Sequence, residues 1–202
     1  MNRSLETSRN RAAAVVIALL MTLGLAAPAS AATGSSRDKR DDVEKIEGIY
    51  TVAKVSHPVD IYRVVLGDPS EAAFSIKITV DRLTSRIAST RGGNFDYSPG
   101  ANIYINGRRK FTVWRGYRFE GGQLSNRRGM PVQCGDDQQV RSAIEQTLST
   151  SRNLIRFEVP KSCLGVEPGD EVSVQGISSY VPGDRRFSFY DISRRTSALT
   201  VE

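Results

Sequence analysis

One histidine, one tryptophan, three methionines and two cysteines are all that 202 residues contain of these types. Each scarcity removes a class of chemistry. A zinc centre needs three or four histidine, cysteine or carboxylate ligands, and a lone imidazole with two thiols falls short. A serine or cysteine hydrolase needs a base beside its nucleophile. The sole conventional base is His57, set in Ser56-His57-Pro58, and no Gly-x-Ser-x-Gly elbow accompanies it. A histidine placed before proline reads as a turn residue. No cofactor and no metal site is expected.

Long apolar runs are equally scarce. The only one lies near the start, where Arg3, Arg9 and Arg11 precede an uncharged stretch from Ala12 to Ala27, and Ala29-Ser30-Ala31 follows. A basic start, an apolar middle and small residues at the end are the pattern of a secretory leader. The run is shorter than the roughly 20 apolar residues of a membrane span. No cysteine stands between residues 26 and 36 to carry a lipid. Residues 1–31 are therefore expected to be a cleaved signal peptide, and the mature form is not expected to span a membrane.

What remains is about 171 residues, enough for one domain with its own core. Without the leader's three arginines and one glutamate, the net charge falls from +6 to +4. That is a modest excess, read as solubility, and it makes no case for nucleic acid. In an exported protein Cys134 and Cys163 read as one disulfide. Closing about 30 residues stabilises the fold by roughly 3–4 kcal/mol on the chain-entropy model.

Thr33 to Asp42 contains no apolar residue and reads as a flexible lead-in over 32–42. Beyond it, short apolar runs alternate with Gly, Pro, Asn and Asp. Ile46 to Val55 is β-rich. Phe74 to Val80 alternates apolar and polar without exception, the mark of a strand with one buried face. Asn106-Gly107 between Asn102–Ile105 and Lys110–Phe119 predicts a tight hairpin. Pro99-Gly100 and Gly121-Gly122 read as its outer limits. Leu154 to Val159, Val172 to Ile177 and Phe187 to Ile192 are further strands, and Leu199 to Val201 is a closing edge. Gln138 to Thr150 fits a helix or a strand, with β neighbours favouring the strand. The expectation is an all-β domain over 43–202: a two-sheet antiparallel sandwich, jelly-roll-like, of about eight or nine strands.

Within Lys110–Phe119, Phe111, Val113, Tyr117 and Phe119 share one parity. Trp114 and Arg118 share the other: if the first set faces the core, Trp114 lies on the outer face, where an aromatic ring stacks a sugar, whereas a large aromatic residue is ordinarily buried and burial is the favoured alternative. Tyr104 and Tyr97 extend that platform, and Arg108 and Arg109 are its charged partners. Further arginine doublets recur at 127–128, 185–186 and 194–195, suited to an anionic polymer if they converge. The acidic pairs Asp41-Asp42 and Asp136-Asp137, with Asp184, read as solvated loop charge. Asp96, Glu120, Glu158 and Asp191 are the carboxylates open to a glycosidase, but nothing in the sequence pairs them.

The stretch Ile155 to Gly165, with Val159-Pro160-Lys161-Ser162-Cys163-Leu164-Gly165 at its core, resembles a segment of small secreted actinobacterial proteins. These are similar to β-sandwiches of the DOMON and family 9 carbohydrate-binding-module type. The resemblance implies two stacked antiparallel sheets and a ligand such as a sugar or haem. Haem would need axial ligands, for which the mature part offers only His57 and Met130. The functional expectation is a secreted, non-enzymatic module that binds envelope glycan or anionic polymer. The alternatives are a protein–protein interaction module and, third, a carboxylate hydrolase.

Overall fold

The strictest alternation in the sequence becomes the centre of one sheet. In a computed structural model, strand β5 (Ala73–Val80) buries Phe74, Ile76, Ile78 and Val80. It pairs antiparallel with β4 (Ile61–Gly67) and β10 (Leu154–Pro160). β1 (Thr33–Arg37) and β9 (Glu145–Ser149) form the edges, in the order β1-β4-β5-β10-β9. The structure describes residues 32–202 apart from 69, 71, 86–95, 116–120, 133, 135–143 and 183–185. The expected leader lies outside the described residues, as do Tyr117, Arg118, Phe119, Glu120, Asp136, Asp137, Asp184 and Arg185.

The second sheet runs β3 (Tyr50–Val55), β2 (Val43–Glu47), β12 (Ser188–Arg195), β11 (Glu171–Val181), β6 (Asp96–Ile105), β7 (Arg108–Arg115) and β8 (Gly122–Asn126). Short β13 (Leu199–Thr200) adds to β11. The β6–β7 turn is Asn106-Gly107, both at positive φ (51° and 76°). A two-residue hairpin with right-twisted strands requires that conformation, and these two residue types adopt it at little cost. The inner faces of both sheets supply one apolar core, with Ile155, Phe157 and Val159 from one side and Ile103, Val113, Val172 and Val174 from the other. The fold is the expected two-sheet antiparallel sandwich, and Cys134 and Cys163 are bonded.

Three details depart from expectation. Thirteen strands are present among the described residues rather than eight or nine. The additions are short or polar, and the Ile46–Val55 run is divided between two strands by Gly48 at φ 63°. Thr33–Arg37 is not a flexible lead-in. Its backbone ladders onto β4 from Gly67 to Arg63, and Ser36 Oγ donates to the Arg194 carbonyl at 2.8 Å. Strand pairing through the main chain needs no apolar side chain, which is why composition hides it. Pro99-Gly100 is no turn but the middle of β6. The β7 ladder begins at Gly100, so Pro99 lies just past it, where a missing N–H is tolerated as on an edge strand. Within Gln138–Thr150, the described part is strand β9 followed by a 3-10 turn at Thr150–Arg152.

Candidate functional site

The outer face of the eight-stranded sheet carries a groove of about 540 Å³. Strand parity builds it. Odd positions of β6 (Tyr97, Ala101, Ile103) enter the core, which turns Ser98, Gly100 and Asn102 outward. On β7 Val113 is buried, which turns Thr112 and Trp114 outward. The register sets Gly100 between Trp114 on β7 and Ile177 on β11. A Cβ at Gly100 would collide with the Val113 carbonyl, so the floor of the groove carries no side chain there. Trp114, Arg109, Gln123, Ile177, Ser179 and Tyr190 are among the lining residues.

The lining is held in place by its own hydrogen bonds. Trp114 Nε1 donates to Gln123 Oε1 at 3.3 Å, and Thr112 Oγ1 donates to Asn102 Oδ1 at 2.9 Å. Tyr104 OH donates to Gln175 Oε1 at 2.8 Å. Arg195 lies over the Tyr104 ring with its guanidinium carbon 4.9 Å from the centroid. Burial pushes the Tyr190 phenol upward, as do the carboxylates of Asp191 and Glu44, while Arg109 acts in the opposite sense. The result is a concave face with two aromatic rings, an aliphatic side chain, amides, hydroxyls and a cationic margin. A volume of this size suits a few sugar units or a small-molecule ligand.

The sequence-predicted residues divide. Trp114 is half-buried on the outer face, and Arg109 lines the same groove. Tyr104 also faces outward and pairs in register with Arg109. Arg108 lies apart, in a separate hollow of about 590 Å³ with Lys110, Phe111 and Leu164. Tyr97 is a correction: it is 2% exposed and packs in the core, so it cannot stack a ligand. The β6 parity that turns Tyr104 outward turns Tyr97 inward. The arginine doublets converge only in part, with one member each from 108–109 and 194–195 approaching Tyr104. Arg186 instead pairs with Glu47 at 3.5 Å.

The remaining candidates for chemistry are placed otherwise. His57 stacks on Phe189 (ring centroids 4.0 Å apart, planes at 16°). Its Nδ1 accepts from the Val59 N–H at 3.4 Å, and burial lowers its pKa to about 4. Glu158 forms an ion pair with Arg156. Asp191 is 3% exposed and does not face the groove. Asp42 is not free loop charge: one of its carboxylate oxygens stands within 4.8 Å of oxygens from Asp60 and Asp191. Asp60 and Asp191 are 131 positions apart in the sequence. No local pattern could have joined them.

No protein-family model and no curated protein sequence matches this chain. No helix among the described residues is long and apolar enough to cross a membrane.

Proposed function

We propose that the protein is a non-enzymatic binding module for envelope glycan or a related anionic polymer, and that the groove around Trp114 is its binding surface. The observation that carries this reading is the position of Trp114. The chain's single tryptophan is half-buried on the outer face of a sheet, with its ring edge tethered to Gln123 and Arg109 across the same hollow. A core tryptophan would satisfy packing alone; this one presents a ring beside amides and a guanidinium. Sugar rings stack on such a surface, and carboxylate or phosphate groups on the polymer pair with Arg109. The resemblance to carbohydrate-binding sandwiches and the export signal read in residues 1–31 support the same setting.

The test is an array of neutral and anionic cell-wall glycans probed with the wild type, Trp114→Ala and Arg109→Ala. Selective retention of the wild type, lost in Trp114→Ala and weakened for anionic members in Arg109→Ala, supports the reading. Equal retention of wild type and Trp114→Ala, or no retention of either, rejects it.

A protein–protein interaction module is the second reading, favoured by one separate observation. β3 ends the eight-stranded sheet, and the hairpin leading into it exposes Ile49 (87%) and Tyr50 (71%). An apolar sheet edge of this kind offers main-chain groups to a partner strand. Co-purification of a secreted protein that is lost on Tyr50→Lys, with no glycan retained, would favour it over the groove.

A further inference from the structure

Three aspartates reach one point from distant parts of the chain. Asp42 precedes β2, Asp60 precedes β4, and Asp191 sits within β12. One carboxylate oxygen from each lies within 4.8 Å of the others. That is the span across a calcium ion whose oxygen ligands stand at about 2.4 Å.

Two of the three side chains are almost wholly buried, Asp60 at 2% and Asp191 at 3% exposure. Asp191 has donors for both oxygens, from Ile61 N–H at 2.6 Å and Ile192 N–H at 2.9 Å. Asp60 does not. Its Oδ2 accepts from the Asp41 N–H at 2.6 Å, whereas its Oδ1 is buried without a donor. Asp42 Oδ1 is likewise buried and without a donor, and so is Asp38 Oδ2. Asp38 stands close enough that its charge acts on Asp191 and that of Asp42 acts on it, with Arg194 acting on Asp38 in the opposite sense. Among the described residues, no lysine or arginine forms an ion pair with Asp42, Asp60 or Asp191.

Converging buried carboxylates are costly unless protonated or matched by positive charge. Spare lone pairs on oxygen alone, with no nitrogen or sulfur donor, match a hard cation.

We propose that Asp42, Asp60 and Asp191 form a calcium site, with Asp38 as an adjacent fourth carboxylate. The site spans the sandwich. Asp60 leads into the five-stranded sheet, while Asp42 and Asp191 belong to the eight-stranded one. A bound ion fastens the 38–42 segment to both. Asp191 and Tyr190 point to opposite faces of β12, so this site is separate from the groove and stands or falls independently of it.

The test is calorimetric titration of the EDTA-treated full-length protein with calcium chloride and, separately, magnesium chloride, alongside thermal unfolding. One calcium per chain is expected. The unfolding midpoint rises by about 5–10 °C at a hundredfold excess over the dissociation constant. Magnesium, which demands a tighter octahedral shell, produces less than half that rise at equal concentration. Asp42→Asn removes charge while leaving the backbone hydrogen bonds to Asp60 and Asp191 intact. It should weaken calcium at least tenfold, yet in EDTA unfold no earlier than the wild type, because repulsion is relieved. Absence of a calcium response in the wild type, an equal response to magnesium, or wild-type affinity in Asp42→Asn overturns the assignment.

Discussion

Removing the Cys134–Cys163 bond tests how far the sandwich depends on its staple. The bond closes a segment of 29 residues in separation, which encloses β9, the 3-10 turn and β10. Chain entropy for a loop of that length corresponds to about 3.6 kcal/mol at 25 °C. Cys163 is 8% exposed and joins the core, so Cys134→Ala/Cys163→Ala adds up to about 1 kcal/mol for the lost sulfur contacts. With a urea slope of about 2 kcal/mol/M, the double variant should lose about 2 M in its midpoint. The wild type reduced with dithiothreitol keeps its sulfur contacts and should lose about 1.8 M. Equilibrium urea unfolding followed by tryptophan fluorescence measures both. A midpoint within about 0.5 M of the oxidised wild type, at unchanged slope, would refute the loop-entropy reasoning.

Other substitutions probe packing, conformation and charge. A Cβ on Gly122 would lie 2.6 Å from Ile144 Cγ2 and 3.1 Å from Phe157 Cδ1. Gly122→Ala should cost about 1–3 kcal/mol in urea unfolding, and in combination with Ile144→Ala, which removes Cγ2, the loss should be smaller than the sum of the two single losses; strictly additive losses would show that the clash lies elsewhere. Phe157→Ala, at a fully buried position facing both sheets, should lose about 3–5 kcal/mol in the same assay. His57 is held neutral, its pKa lowered from 6.5 to about 4 by burial. Below pH 6.5 the unfolded chain gains a proton there that the folded chain refuses, so this contribution to stability is lost as pH falls toward 4. His57→Phe removes that titration and keeps a ring against Phe189. The melting-point difference, wild type minus variant, should therefore decline between pH 7.5 and 5, while carboxylates common to both proteins cancel. A difference independent of pH would count against a buried, neutral His57.

Elements with local signals were legible in the sequence. Strand β5 announces itself because its apolar residues fall on one face, and the β6–β7 turn because Asn-Gly suits positive φ. Parity alone left Trp114 open, since it turns outward only if Phe111 and Val113 face the core, and a lone tryptophan is ordinarily buried. Tyr97 was missed because Pro99-Gly100 reads as a break; only an unbroken β6 extends the parity of Ala101 and Ile103 back to residue 97. Ile177 and Tyr190 carry no mark in sequence that they share a hollow with Trp114, since cross-strand register brings them together. Asp42 was read as loop charge and Asp191 as an unpaired carboxylate for the same reason. Polar residues before a strand are usually solvated, and only the packing of β4 against β12 shows that Asp60 and Asp191 are not.

The path of the first twenty or so described residues has a consequence for how the chain becomes a domain. β1 pairs with β4, which is available early, but β2 pairs with β12 at Ser188–Tyr190. Residues 44–46 must therefore wait for residues 188–190 before the eight-stranded sheet can close. Until then β2 and β3 have each other but no sheet to join. Such wide sequence separation slows folding and keeps a nascent chain open. A domain wired in this way completes its larger sheet only once β12 has joined β2.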